Sequence, residues 1–407
     1  MKLKTLKRLG ATLFAAAFLF SCNQDSTAPV EEGDVQMVAP SDSQVIPGQY
    51  IVVFNKTDEG KSVENYQKSQ DMVKARAIKL MSDAGIKGEI VNAYSKTIKG
   101  ATLKLSSSDA SKLSKREEVA YVEEDRIVVF APPCGTPNGG PCDGGGGGGT
   151  EGQETPYGIT RVNGGVTYSG SNVAWVIDTG IDLDHEDLKV DASRGFNAFT
   201  SGRDAKSLDD GHGHGTHVAG TIAAIDNNVG VIGVAAGATV IPVKVLDSRG
   251  SGSYSGVIAG VDHVGANGSN GDVANMSLGG PVSQALDDAV LAASANGIKF
   301  SLAAGNESDD ANNHSPARAN GSNIVTISAM DDTDTWASFS NYGNPPVDYA
   351  APGVAIKSSW KNGGYNTISG TSMAAPHAAG ILLLGNAGTD GTVVGDPDGD
   401  ADPIIVH

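Results

Sequence analysis

Three stretches of this chain carry residues that could do chemistry together: Ile177-Asp178-Thr179-Gly180-Ile181, Gly211-His212-Gly213-His214-Gly215-Thr216-His217-Val218-Ala219-Gly220 and Gly370-Thr371-Ser372-Met373-Ala374-Ala375-Pro376-His377. A serine hydroxyl is a weak nucleophile until a neighbouring base takes its proton, and that base works best when a third group orients it. A lone serine reads more simply as a helix cap; Ser372 is singled out because the chain also supplies an imidazole, His214, and a carboxylate, Asp178. Histidines among glycines can also mean metal, but His214 and His217 have no glutamate between them, so the H-E-x-x-H zinc pattern is missing.

Each of these residues needs an element to hold it. Val173 to Ile177 is a short apolar run, read as a strand buried on both faces. It delivers Asp178 to a strand's C-terminal end, where α/β sheets keep their sites. Gly370, two residues before Ser372, permits a sharp turn, and Pro376 is best tolerated in a first helical turn, so a helix should begin near Ser372. Its residues are apolar nearly all round to Leu384, which predicts a buried helix with Ser372 at its positive end.

Taken in chain order Asp, His, Ser, the three stretches resemble the signature segments of the subtilisin-like serine proteases (subtilases) over about residues 153–384. The α/β-hydrolases run Ser, Asp, His and the chymotrypsin fold His, Asp, Ser, so the order separates three scaffolds. The resemblance implies that Ser372 attacks a peptide carbonyl, His214 shuttles the proton and Asp178 holds the imidazole. It also implies that Asn306, in Ala303-Ala304-Gly305-Asn306, donates to the oxyanion. The related sedolisins use a glutamate base, which His214 argues against. Gly250-Ser251-Gly252 and Ser277-Leu278-Gly279-Gly280 resemble the edges that sandwich an extended substrate, where small residues admit a peptide backbone. Ser277 to Gly280 with Ala303, Ala304 and Gly305 should wall a roomy, uncharged pocket favouring large apolar residues before the cut, although the acidic Glu307–Asp310 loop lies close by. The Ile225–Val231 loop has the character of a subtilase calcium loop. The family match gives side-chain oxygens from Gln153, Asp187 and Asn227 and carbonyls from Ile225, Val229 and Val231, an oxygen set suited to structural Ca²⁺.

The N-terminus reads as a targeting signal over residues 1–21. Lys2, Lys4, Lys7 and Arg8 precede an apolar run ending Leu19-Phe20-Ser21-Cys22, which resembles a bacterial lipoprotein signal with Cys22 lipidated; an ordinary signal peptide is the alternative. Residues 22–47 form a polar tether. Over residues 48–131 the order βαββαβ predicts a ferredoxin-like fold and resembles the inhibitory propeptide of subtilases, with its last segment lying in the cleft as an added strand. Residues 132–152 are a linker containing six consecutive glycines and the pair Cys134 and Cys142. In an exported chain that pair is expected to form a small disulfide loop, with a metal site as the alternative.

Composition excludes some functions. A net charge of −18 argues against nucleic acid or an anionic membrane surface as the main partner. With 54 glycines and 5% aromatics, the chain should be turn-rich and closely packed rather than a coiled coil. The reading is therefore a mostly parallel, doubly wound α/β catalytic domain over residues 153–385, behind a ferredoxin-like α+β propeptide. The expected product is an exported, self-processed, monomeric serine endopeptidase; the rival is a lipid-anchored binding protein that kept the fold. Residues 386–407, with the repeat Asp396-Pro397-Asp398-Gly399-Asp400-Ala401-Asp402, are expected to be a disordered acidic tail.

Overall fold

The computed structural model describes residues 45–55, 65–129 and 152–407. The signal read over residues 1–21, the lipidation site Cys22, most of the tether and the Cys134 and Cys142 pair lie outside those residues.

The N-terminal domain follows the predicted order: β1 (Val45–Phe54), α1 (Tyr66–Asp83), β2 (Glu89–Tyr94), β3 (Gly100–Lys104), α2 (Ser107–Leu113) and β4 (Val119–Val129). The strands pair antiparallel in the order β4-β1-β3-β2. Val73, Ala77, Leu80 and Met81 recur at helical spacing, so α1 turns one apolar face onto Val52, Phe54 and Leu103. The Asn65 side chain caps that helix by accepting from Lys68 N at 3.0 Å. β1 starts earlier than Gly48: Val45 pairs with Arg126 across a register break, and Gly48 takes φ 75° there. A bulge needs an irregular backbone, which glycine adopts without a steric penalty.

The large domain is built on one sheet. From the edge its strands run Gly388–Thr392, Pro403–Val406, Val347–Pro352, Ile324–Met330, Lys299–Ala303, Val273–Met276, Ala174–Asp178, Thr239–Lys244 and Lys189–Val190. Every pairing along it is parallel except the outermost, Gly388–Thr392 on Pro403–Val406. Alternate residues of a central strand face opposite sides. Trp175 and Ile177 pack with the helices Tyr254–Asn267 and Gln284–Ser294, whereas Ala174 and Val176 pack with His214–Ala223 and Thr371–Leu384. The sheet is thus covered on both faces, as the continuous apolar strand predicts.

The C-terminal residues differ from the disordered tail expected over 386–407. Pro403–Val406 joins the parallel sheet through the pair Ala350 and Ile404, and Ile404 and Ile405 are fully buried. The apolar run Pro403-Ile404-Ile405-Val406 can bury against the open edge of the Val347–Pro352 strand, which outweighs the solvation of the acids before it. The aspartate repeat becomes the turn entering that strand, and its last member, Asp402, is buried and accepts a hydrogen bond from Ser328 Oγ.

Candidate active site

Asp178 ends the central strand and is fully buried. Its Oδ1 accepts from Thr179 N at 2.7 Å, and Oδ1 and Oδ2 lie 2.9 and 3.0 Å from His214 Nδ1. His214 is the first residue of the helix His214–Ala223. Two glycines permit this approach. Gly213 has φ 114°, and a Cβ on it would sit 2.3 Å from the Trp360 ring; a Cβ on Gly215 would sit 2.1 Å from Gly180 O. Any side chain at position 215 would therefore push the helix away from Asp178.

Asp210, which the sequence reading passed over, joins these two segments. It accepts from Thr179 Oγ1 (2.9 Å), His212 N (2.9 Å), Gly213 N (2.8 Å), Thr216 N (2.9 Å) and Thr216 Oγ1 (2.7 Å). Thr179 Oγ1 in turn accepts from Gly215 N. One buried carboxylate thus gathers orphan donors at the helix N-terminus and fastens them to the residue after Asp178. Its place before the histidine-glycine run is the only sequence signal that could have found it. His217 has a different part. Fully buried, with Nε2 against Ile356 O at 2.9 Å, its pKa is pushed down to about 3 by burial, so it is a neutral core residue.

Ser372 is the second residue of the helix Thr371–Leu384 and is 9% exposed. The helix begins where expected, but Pro376 lies in its second turn rather than its first. A proline there leaves the carbonyl four residues earlier without its helical donor. That carbonyl belongs to Ser372, and Ser277 Oγ donates to it at 2.7 Å, while Ser372 Oγ donates to Ser277 O at 3.1 Å. Asn275 Nδ2 donates to Ser277 Oγ at 2.8 Å. Ser277, expected only as a cleft residue, therefore also holds the helix end that carries Ser372.

Asn306 reaches the same place from the end of the Lys299–Ala303 strand. Its Oδ1 accepts from Thr371 N at 2.8 Å and Thr371 Oγ1 at 3.0 Å, which fixes the plane of the amide. Thr371 Oγ1 also accepts from Gly305 N at 3.1 Å. Thr371, which has no part of its own in the sequence motif, gains one here.

A pocket beside Ser372 is lined by Leu278, Gly279, Gly280, Ala303, Ala304, Gly305 and Asn306 of the expected wall, without Ser277, and in addition by Glu307, His314, Ala317 and Thr371. Val129, the last residue of β4, lines it too. The strand Ser251–Ser253 pairs antiparallel with β4, matching Ser251 to Val129, Gly252 to Val128 and Ser253 to Ile127. Gly250 has φ 76°, and a Cβ on Gly252 would sit 2.3 Å from Val245 O, so both glycines shape the edge that β4 extends.

Charged groups fasten the N-terminal domain here. Asp125 accepts from Ser255 N at 3.0 Å and from Gln49 Nε2 at 2.6 Å, and Glu123 Oε2 accepts from Ala285 N at 3.2 Å. Each carboxylate thus meets the first turn of a large-domain helix, where the helix dipole favours negative charge. Burial raises the pKa of both. In the other direction, Asp262 of the large domain accepts from Lys96 N and Thr97 N at 2.7 Å each, and from Tyr66 OH at 2.8 Å.

The residues expected to hold calcium converge. Gln153 Nε2 donates to Ile225 O at 2.6 Å and to Val231 O at 3.2 Å, and Asn227 Nδ2 donates to Asp187 Oδ1 at 2.9 Å. The carbonyls of Ile225 and Val231 therefore point at one spot, filled by the positive end of an amide dipole. Val229 is tied to the set through its N–H, which donates to Asn227 Oδ1 at 2.7 Å. With the Gln153 and Asn227 amides turned over, carbonyls, amide oxygens and one buried carboxylate would make an all-oxygen set, the donor chemistry of a hard cation such as calcium. Among the described residues no group of three or more His, Cys, Asp or Glu is placed to hold a metal, the aspartate repeat included.

Comparison with known proteins agrees in two places along the chain. The model of the subtilase family matches residues 170–388, and that of the peptidase inhibitor I9 family matches residues 49–131. The chain is 41% identical to alkaline serine exoprotease A of Vibrio alginolyticus, over 86% of this chain and 62% of that protein. It thus spans less than two thirds of that relative. It is 38% identical to subtilisin E of Bacillus subtilis, over 83% of this chain and 79% of that protein. Among solved structures, a cold adapted subtilisin-like serine proteinase superposes with a TM-score of 0.53 at 38% identity, covering 61% of this chain and 96% of that one.

Proposed function

The chain belongs to the subtilase family, and on that premise we propose that it is an exported serine endopeptidase made as a zymogen that processes itself. The observation that carries the reading is β4, laid as an added strand on Ser251–Ser253 and ending with Val129 in the pocket that Ser372 and Asn306 line. Up to Val129, the strand is paired to the cleft edge through its main chain, the way an extended substrate binds.

In the proposed reaction Ser372 Oγ bonds to the carbonyl carbon while His214 takes the hydroxyl proton. Asp178, close to His214 Nδ1, holds the proton on that nitrogen, so the other ring nitrogen acts as the base, and stabilises the imidazolium that forms. The carbonyl oxygen, now negative, receives the Asn306 amide and the Ser372 N–H. His214 returns the proton to the leaving amine, and water then releases the acyl group by the same exchange. The pocket accepts a large apolar residue before the cut, with broad tolerance elsewhere. The N-terminal domain inhibits until it is cleaved off, and calcium at Gln153, Asp187, Asn227 and the three carbonyls would stiffen the loop after the His214 helix. The proposed domain limits are those read from sequence, with residues 386–407 belonging to the catalytic domain. If Cys22 is lipidated, the lipid stays on the inhibitor's side of a cut beyond Val129, so the mature enzyme leaves the membrane that holds its precursor.

The test is Ser372→Ala in a host without other proteases. The variant should remain one unprocessed chain and fail to react with a fluorophosphonate probe that labels the wild type. Efficient processing of the variant would overturn the proposal.

A further inference from the structure

Two ionisable side chains line the pocket beside Ser372, and the protease reading above leaves them without a part: Glu307 and His314. Apart from Asn306, Thr371 and Ser372, the rest of the lining is apolar or glycine, with Leu278, Ala303, Ala304 and Ala317 among it. A carboxylate alone in such surroundings would attract a substrate ammonium or guanidinium and turn away an aromatic ring.

Glu307 is not alone. His314 Nδ1 lies 3.7 Å from Glu307 Oε2, and His314 Nε2 lies 3.2 Å from Asp309 Oδ2. A neutral imidazole donates from one nitrogen only; the imidazolium donates from both, and here a carboxylate faces each. Both carboxylates are held in place. Asn341 Nδ2 donates to Glu307 Oε2 at 2.7 Å, and Asn341 Oδ1 accepts from Glu307 N and Asp309 N. The ring is anchored as well, because His314–Ser315 pairs antiparallel with Gly280–Pro281 of the pocket wall. Arg318, the next cation along the chain, is engaged elsewhere with Asp287 at 3.2 Å. His314 is mostly covered, its side chain 14% exposed, whereas Glu307 is 44% exposed toward the pocket and solvent.

We propose that His314 is the specificity-determining residue of this pocket: placed between the carboxylates of Glu307 and Asp309, it lowers their joint charge from −2 to −1, weakens the pull of Glu307 on a cationic side chain and favours large apolar ones. This deepens the protease reading and rests on it. Without His314, nothing would offset the charge of Glu307, and the same pocket would take lysine or arginine more readily. A unit charge about 6 Å from a substrate ammonium, at an effective dielectric of about 40, shifts the preference about tenfold.

The experiment compares mature wild type with His314→Gln and His314→Lys, all at one and the same pH. The substrates are two peptides that differ only in having Phe or Lys before the cut. The Lys-to-Phe ratio of kcat/KM should rise about tenfold in His314→Gln. It should stay low in His314→Lys, which keeps a cation there, and return toward the wild-type ratio in His314→Gln/Glu307→Gln. Active-site titration with a fluorophosphonate corrects each rate for the folded fraction, so partial misfolding does not enter the ratio. A His314→Gln ratio within twofold of wild type, or an equal rise in His314→Lys, overturns the proposal. Wild-type enzyme that cleaves neither peptide and does not react with the probe would instead refute the protease reading.

Discussion

Ser277→Ala should destabilise the helix end that carries Ser372, and Pro376→Ala should reverse part of the loss. Ser277 Oγ donates to Ser372 O at 2.7 Å and accepts from Asn275 Nδ2 at 2.8 Å, all three residues being buried or nearly so. Removing the hydroxyl strands a carbonyl and an amide. At about 1–3 kcal/mol for each buried polar group left unpaired, and with relaxation around the small gap, the expected cost is about 2–4 kcal/mol. Residue 376, a proline, has no N–H to give that carbonyl. Pro376→Ala restores the N–H four residues on, so in the Ser277→Ala background it should regain about 1–2 kcal/mol. In the wild-type background it should gain less, since Ser277 already serves that carbonyl. The assay is denaturant unfolding of the four chains of the double-mutant cycle, each carrying Ser372→Ala to prevent self-digestion. A coupling energy under about 0.3 kcal/mol, within ordinary additivity, would refute the account of how the proline is accommodated.

Three further outcomes are expected. Asp210→Asn puts an amide among five converging donors and should loosen the Asp178–His214 approach, lowering kcat by about 10²-fold with little change in KM; steady-state kinetics showing an unchanged kcat would refute the positioning role. Chelating calcium should lower the melting temperature of active enzyme, with a linked stabilisation of about 2.7 kcal/mol at a free concentration a hundredfold above Kd; a melting temperature indifferent to calcium and chelator counts against the site. Burial raises the Asp402 pKa to about 6, above its ordinary value of 3.8. The group therefore favours the folded state at pH below about 4, and that contribution is lost as pH rises through about 6. Asp402→Asn should accordingly gain stability relative to wild type between pH 4 and pH 8, by up to about 3 kcal/mol, read as the difference in melting temperature at the two pH values.

The local order of elements was legible in the amino acids because it depends on neighbours in the chain. The apolar run before Asp178 could only be a doubly buried strand, and the glycines around His214 and Ser372 mark turns that no other residue makes without strain. The alternation of strand and helix in residues 48–129 carried the ferredoxin-like order for the same reason. The subtilase resemblance rested on three short motifs whose order survives any rearrangement of loops.

Tertiary structure alone decided what depends on partners distant in sequence. Asp210 and Thr371 are ordinary polar residues until the fold brings them against Thr179 and Asn306. Ser277 matters to the helix that carries Ser372 because a proline 99 positions later withholds an N–H, a need visible only when the two segments meet. Composition made residues 386–407 look like a solvated acidic tail, yet Pro403–Val406 found an open parallel edge and buried its isoleucines there. Net charge averages over a segment, whereas burial is chosen residue by residue by whatever surface is left uncovered.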